Sequence, residues 1–180
     1  DREELMAKQL FERFRVKAYF SDLTQLLKEA RPDAVHITTP PQGHFNLARQ
    51  CLEHGCHVYI EKPFTLTTKE AEELIGLANQ KGLKLTAGHS DQFRHAARRL
   101  RETVQSGYLG GMPVHMESHY CYEIEGDGAY AKALLGDKEH WVRKLPGQLL
   151  HNIISHGIAR IAEFLPGESP QVIAHGFVSP

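Results

Sequence analysis

No Gly-x-Gly-x-x-Gly turn occurs anywhere in the 180 residues of this chain. The tight glycine loop that holds a dinucleotide pyrophosphate against a helix N-terminus is therefore missing from it. Cysteine is scarce: Cys51, Cys56 and Cys121 are an odd number and scattered, which points to reduced, cytoplasmic usage rather than a disulfide framework. No apolar run approaches the roughly 20 residues of a membrane span, so no membrane partner is expected. No secretory signal pattern is visible. Charge of one sign is not in excess, with 21 Lys and Arg against 22 Asp and Glu and a net charge of -1. Bulk attraction to nucleic acid is excluded on that balance. The cluster Arg94, Arg98, Arg99, Arg101 falls within one predicted helix and reads as a solvated face. Histidine, by contrast, is abundant at 12 residues.

What is present alternates between helix and strand. Asp1 to Phe14 carries a helical apolar stripe at Leu5, Met6, Leu10, Phe11 and Phe14. Asp22 with Gln25 forms a capping pair for a short helix through Leu26 and Leu27. Ala34 to Thr38 reads as a buried strand stopped by Pro40 and Pro41, and His44 to His54 as a helix that Gly55 ends. His57 to Glu61 is the next strand. Thr67 and Glu70 make a capping box for a helix that Gly82 ends, and Leu83 to Ala87 is a third strand. A helix over about 93–105 follows. Strands separated by helices of this length predict right-handed βαβ crossovers and a parallel sheet. Beyond the Gly-x-x-Gly-Gly break at 107–111 the pattern changes. Pro113 to Tyr122 alternates as an antiparallel strand does, Gln148 to Leu165 reads as a strong helix, and Gln171 to Val178 as a strand. The expected fold class is α/β, with a parallel sheet over 1–108 and a second, alternating part over 109–180.

The chemistry concentrates at Glu61-Lys62-Pro63. A lysine at the carboxyl end of a buried strand loses hydration and needs a partner or a task. In an open α/β sheet the carboxyl ends of the strands are where ligands bind. The plain structural alternative is an edge lysine snorkelling to solvent beside Glu61.

Pro32-Asp33-Ala34-Val35, the Thr-Pro-Pro-x-x-His run at 39–44, Gly55-x-His57-Val58 and Glu61-Lys62-Pro63 occur in one order and spacing. Further on come Trp141-x-Arg143, Pro146-Gly147 and a helix bearing Asn152-x-x-x-His156. Together they resemble the glucose–fructose oxidoreductase/inositol dehydrogenase (Gfo/Idh/MocA) family. The resemblance implies an NAD- or NADP-dependent oxidoreductase acting on a sugar, cyclitol or nucleotide sugar. It also implies that 1–108 is a partial Rossmann-type parallel sheet, an incomplete dinucleotide-binding domain, and that 109–180 is the start of an α+β substrate and oligomerisation domain with an open, mainly antiparallel sheet. A homo-oligomer assembled through that C-terminal sheet is implied as well. By this likeness the chain is an internal segment that lacks the Gly-rich part, and the segment alone is expected to be inactive.

The resemblance further implies roles for single residues. Lys62 and His156 would handle the proton of the substrate hydroxyl, with the residue at 152 supporting the histidine. Thr38, Thr39, Pro40, Pro41, His44, Glu61 and Lys62 would lie along the dinucleotide, mostly through backbone groups. His89, Gln92, Trp141 and Arg143 would line the substrate pocket, with Tyr120 and Tyr122 as weaker candidates. Two positions depart from the family pattern. Position 152 is usually aspartate, and an amide cannot stabilise an imidazolium as a carboxylate does. The loop at 89–93 often carries an arginine where Gln92 stands, and glutamine cannot hold a carboxylate or phosphate bidentately. Both departures support the alternative function, a non-catalytic homologue serving as a ligand-binding or structural subunit.

No metal is expected. Cys51-x-x-His54-x-Cys56-His57 straddles a helix end and a strand start, so its side chains diverge. His115, Glu117 and His119 would share one strand face, exposed rather than enclosed.

Overall fold

The structure, a computed structural model, describes residues 1–119, 136–165, 167, 171–173 and 175. They fall into two compact units, Asp1–Gly88 with Asp137–Asn152, and His89–Gly136 with Ile153–Pro180.

The first unit is built on a parallel sheet. Strands β1 (Ala34–Ile37), β2 (His57–Glu61) and β3 (Leu85–Gly88) lie in the order β1-β2-β3. Their register pairs Ile37 with Ile60 and Ile60 with Ala87. Helices α3 (His44–Glu53) and α4 (Thr68–Lys81) make the crossovers between them. β2 alternates: Val58 and Ile60 are buried while His57, Tyr59 and Glu61 are half-buried. The buried pair packs with Leu27 of α2 (Leu23–Ala30), Ile37, Ala48, Cys51 and Leu52 of α3, and Leu74 and Ala78 of α4. Burying each large aliphatic side chain of that cluster contributes about 1.5–3 kcal/mol.

The helix boundaries follow their local chemistry. Asp22 Oδ1 accepts a hydrogen bond from the Gln25 amide at 2.8 Å and opens α2. Thr67 and Glu70 form the reciprocal capping box that starts α4, and Gly82, at φ +66°, ends it in the left-handed region that glycine favours. Helix α1 (Glu4–Phe14) buries only Ala7, leaving Leu5, Met6, Leu10 and Phe14 exposed. No helix among the described residues is long and apolar enough to cross a membrane.

The second unit holds the single turn of 3₁₀ helix at Ser90–Phe93, helix α5 (His95–Gln105) and the later turns of α6 (Gln148–Ala162). Arg101 on α5 grips Glu163 in a fork, Nε to Oε2 at 2.7 Å and Nη2 to Oε1 at 2.9 Å. Part of the cluster read as a solvated basic face is thus ion-paired, and the carboxylate raises the Arg101 pKa from its ordinary value. The antiparallel sheet expected after residue 109 is not seen among the described residues. Residues 113–119 run without strand pairing, and 120–122, 174 and 176–178 lie outside the described residues. A strand leaves its ladder groups unpaired unless a neighbour is present.

Candidate functional site

The parallel sheet directs the carboxyl ends of β1 and β2 into two loops. After β1, Thr38, Thr39 and Pro40 are exposed and Pro41 is buried at the start of a 3₁₀ turn over Pro41–Gly43 that leads into α3. After β2, Glu61 and Lys62 are half-buried, Pro63 is buried, and the Lys62–Pro63 peptide is cis.

His44 joins these loops. Its side chain is wholly buried, with Nδ1 2.9 Å from the Pro63 carbonyl and Nε2 2.8 Å from the Thr39 carbonyl. A neutral imidazole donates from one nitrogen and a charged one from both. Either way the ring is occupied by the protein's own backbone.

Lys62 is held at the same edge. Its Nζ donates to Asn152 Oδ1 at 3.1 Å and to the Asn152 carbonyl at 3.3 Å. Asn152 is buried in the second turn of α6, so the ammonium meets a neutral acceptor in a partly dehydrated place. Trp141 and Arg143 lie in the 3₁₀ turn Trp141–Lys144, where Gln42 Nε2 donates to the Trp141 carbonyl at 3.0 Å. Trp141 is half-buried, its ring against that of His140, and Arg143 is exposed.

In the second unit His89 caps the 3₁₀ turn that follows β3, and His156 sits on α6 with ring centroids 6.5 Å apart, edge to face. Gln92 is partly committed: its Nε2 donates to the Ala159 carbonyl at 3.0 Å and its own carbonyl accepts from Arg101 at 3.2 Å. Gln92 also lines a cleft of about 460 Å³ together with Asp91, Arg94, Arg160, Glu163 and Phe164. His115 and His119 each contact the Glu117 carboxylate at 3.1 Å, and these hydrogen bonds lower the carboxyl pKa. Tyr120 and Tyr122 lie outside the described residues.

The sequence-based reading passed over Asp91. It is buried at 7% exposure and gathers three basic groups: Arg94 Nε at 2.8 Å, Arg160 Nη2 at 3.1 Å and His156 Nδ1 at 3.8 Å. Its local signal was a carboxylate one residue before Gln92 in a strand-end loop; its partners on α6 are visible only in the fold.

A nicotinamide dinucleotide fits the donor set of the first unit. Exposed hydroxyls and backbone groups follow β1, and a half-buried ammonium follows β2, both at strand carboxyl ends.

Comparison with known proteins agrees with that geometry. Residues 1–89 match the family described as oxidoreductase family, NAD-binding Rossmann fold. UDP-N-acetylglucosamine 3-dehydrogenase of Acidithiobacillus ferrooxidans is 41% identical over 99 residues, which are 55% of this chain and 29% of that protein. The solved structure of that enzyme is similar at a TM-score of 0.53 and 39% identity, over 59% of this chain and 33% of that one. D-glucoside 3-dehydrogenase of Escherichia coli K12 is 32% identical over 104 residues, 58% of this chain and 30% of that protein. A crystal structure from Desulfitobacterium hafniense covers 92% of this chain and 46% of that one with a TM-score of 0.67, and at 22% identity it shows likeness of fold alone. The chain spans less than a third of the length of these two curated relatives.

Proposed function

Through residues 1–89 the chain belongs to the Gfo/Idh/MocA family of NAD-binding oxidoreductases, and on that premise we propose that its parent protein transfers a hydride between NAD or NADP and a sugar-like alcohol or ketone. A nucleotide sugar or a glycoside is the favoured substrate class, because relatives at 41% and 32% identity carry those names. Residues 1–108 serve the dinucleotide, and 109–180 the substrate and contacts between subunits in a homo-oligomer. The cytoplasm is the proposed compartment.

The observation that carries this reading is the Lys62 ammonium, fixed at a strand's carboxyl end by the two hydrogen bonds it donates to Asn152 rather than left to reach solvent. Bound at the strand ends, the nicotinamide supplies the hydride acceptor or donor. Lys62 donates a hydrogen bond to the substrate oxygen and stabilises the charge that develops there. His156 takes the hydroxyl proton in oxidation and returns it in reduction. Asn152 positions the ammonium without adding an opposite charge to it. Thr38 and Thr39 offer hydroxyls and amides to the dinucleotide; Pro40 and Pro41 shape the turn; Glu61 and His44 hold the loops in place. His89, Gln92, Trp141 and Arg143 contact the substrate.

The test is NAD(P)H formation by the full native polypeptide with UDP-N-acetylhexosamines, glucosides and cyclitols. Turnover should appear with one of these classes, and Lys62→Met and His156→Phe should each lower it by about 10²–10⁴-fold. Absence of turnover with all three classes under both cofactors, or full activity in Lys62→Met, would overturn the reading.

A further inference from the structure

The family likeness leaves a chemical gap. A histidine that accepts a proton is helped by a carboxylate that favours its imidazolium, and position 152 offers an amide instead. The second unit contains a carboxylate placed to do that work. Asp91, in the 3₁₀ turn after β3, is 7% exposed, and its Oδ2 lies 3.8 Å from His156 Nδ1. We infer that Asp91 is the positioning residue for His156, holding the ring and stabilising its charged form in place of a carboxylate on α6.

Three features support this. The first is the orientation of the carboxylate. Arg94 takes Oδ1 at 2.8 Å and Arg160 takes Oδ2 at 3.1 Å, so the group is pinned from two sides and its Oδ2 is left towards the histidine. The second is burial. The side chains of His156 and Asp91 are 12% and 9% exposed, so their attraction is less screened than at the surface. The third is distance. At 3.8 Å the contact is an ion-pair separation longer than a hydrogen bond, and contacts of this kind are often long in ligand-free sites and tighten with substrate. Among the described residues, the charged and titratable groups around His156 in this unit are Asp91, His89 edge-on at 6.5 Å, and Arg94 and Arg160 through Asp91. The two guanidiniums oppose a third positive charge, and the Asp91 carboxylate offsets them.

The inference rests on the proton-transfer role proposed for His156, and the test separates the two. The midpoint of the His156 titration is read by NMR on the full polypeptide, and the acid limb of kcat/KM by steady-state kinetics. Asp91→Asn should lower the His156 midpoint by about one pH unit and move the acid limb to lower pH with it. Asp91→Glu should restore most of the shift. Arg160→Gln, at a guanidinium that is 44% exposed, should move the midpoint the opposite way, upward. It also stands as the second measurement if Asp91→Asn fails to fold. A His156 midpoint unchanged in folded Asp91→Asn, or not raised in Arg160→Gln, overturns the inference. A midpoint that shifts as expected in a protein with no NAD(P)-linked turnover upholds the Asp91–His156 pair and removes the catalytic reading instead.

Discussion

The imidazole of His44 ties the loop after β1 to the loop after β2, with Nε2 2.8 Å from the Thr39 carbonyl and Nδ1 2.9 Å from the Pro63 carbonyl. Parallel strands cannot exchange hydrogen bonds beyond their ends, so a side chain must carry the connection between the loops. His44, wholly buried at the start of α3, does so, and it fixes the turn that contains Lys62.

Replacing His44 by Ala removes the ring that contacts both carbonyls and opens a cavity. The expected cost is about 2 kcal/mol or more of unfolding free energy. Urea denaturation of the full polypeptide measures it. His44→Gln, which keeps one donor, should recover part of the loss.

Asn152→Asp sets a carboxylate where Oδ1 now accepts from Lys62 at 3.1 Å. An opposite charge at that range favours the ammonium, so the basic limb of the pH–rate profile should move to higher pH by about one unit. The lysine is then engaged by a charged partner, and turnover at neutral pH should fall on the order of tenfold. Asn152→Asp therefore perturbs the basic limb and Asp91→Asn the acid limb.

Gly88 closes β3 beneath Tyr59, which stacks on His36 with ring centroids 4.8 Å apart. A Cβ at this position would lie 2.8 Å from the Tyr59 hydroxyl oxygen and 3.0 Å from two of its ring carbons. Gly88→Ala should cost about 1–3 kcal/mol by overpacking, and Tyr59→Phe in the same background should return part of it by removing the nearest atom. Thermal unfolding of the single and double variants gives the comparison.

Cys51 is wholly buried on α3, and burial, with a smaller contribution from Cys56, pushes its pKa from 9.0 up to about 11. A raised thiol pKa gives stability that is complete below the unfolded value and is lost as pH climbs through the folded one. The window is therefore about pH 9 to 11. The loss across it should be on the order of 2–3 kcal/mol, and the Cys51→Ala variant should show a flatter alkaline slope. Iodoacetamide at neutral pH should label Cys51 only on unfolding.

Much of the first unit was legible from local chemistry. Thr67 and Glu70 are three residues apart, and their capping box needs no distant partner. The apolar run that follows the Gly55 turn and stops at Pro63 reads as a strand over His57 to Glu61, and β2 forms there. The expected third strand, 83–87, forms at Leu85–Gly88, and the helix expected to Leu165 ends at Ala162. Such boundaries depend on where packing stops and shift by a few residues.

The sequence by itself determined the capped helices, the parallel sheet and the lysine at the end of β2, because each depends on residues close along the chain. Only the tertiary structure decided what those groups meet. Lys62 finds Asn152 across 90 positions, and Asp91 finds Arg160 across 69. No periodicity encodes such pairs. They exist because a folded core leaves a charge little water and obliges it to take whichever partner the topology brings within a few ångströms.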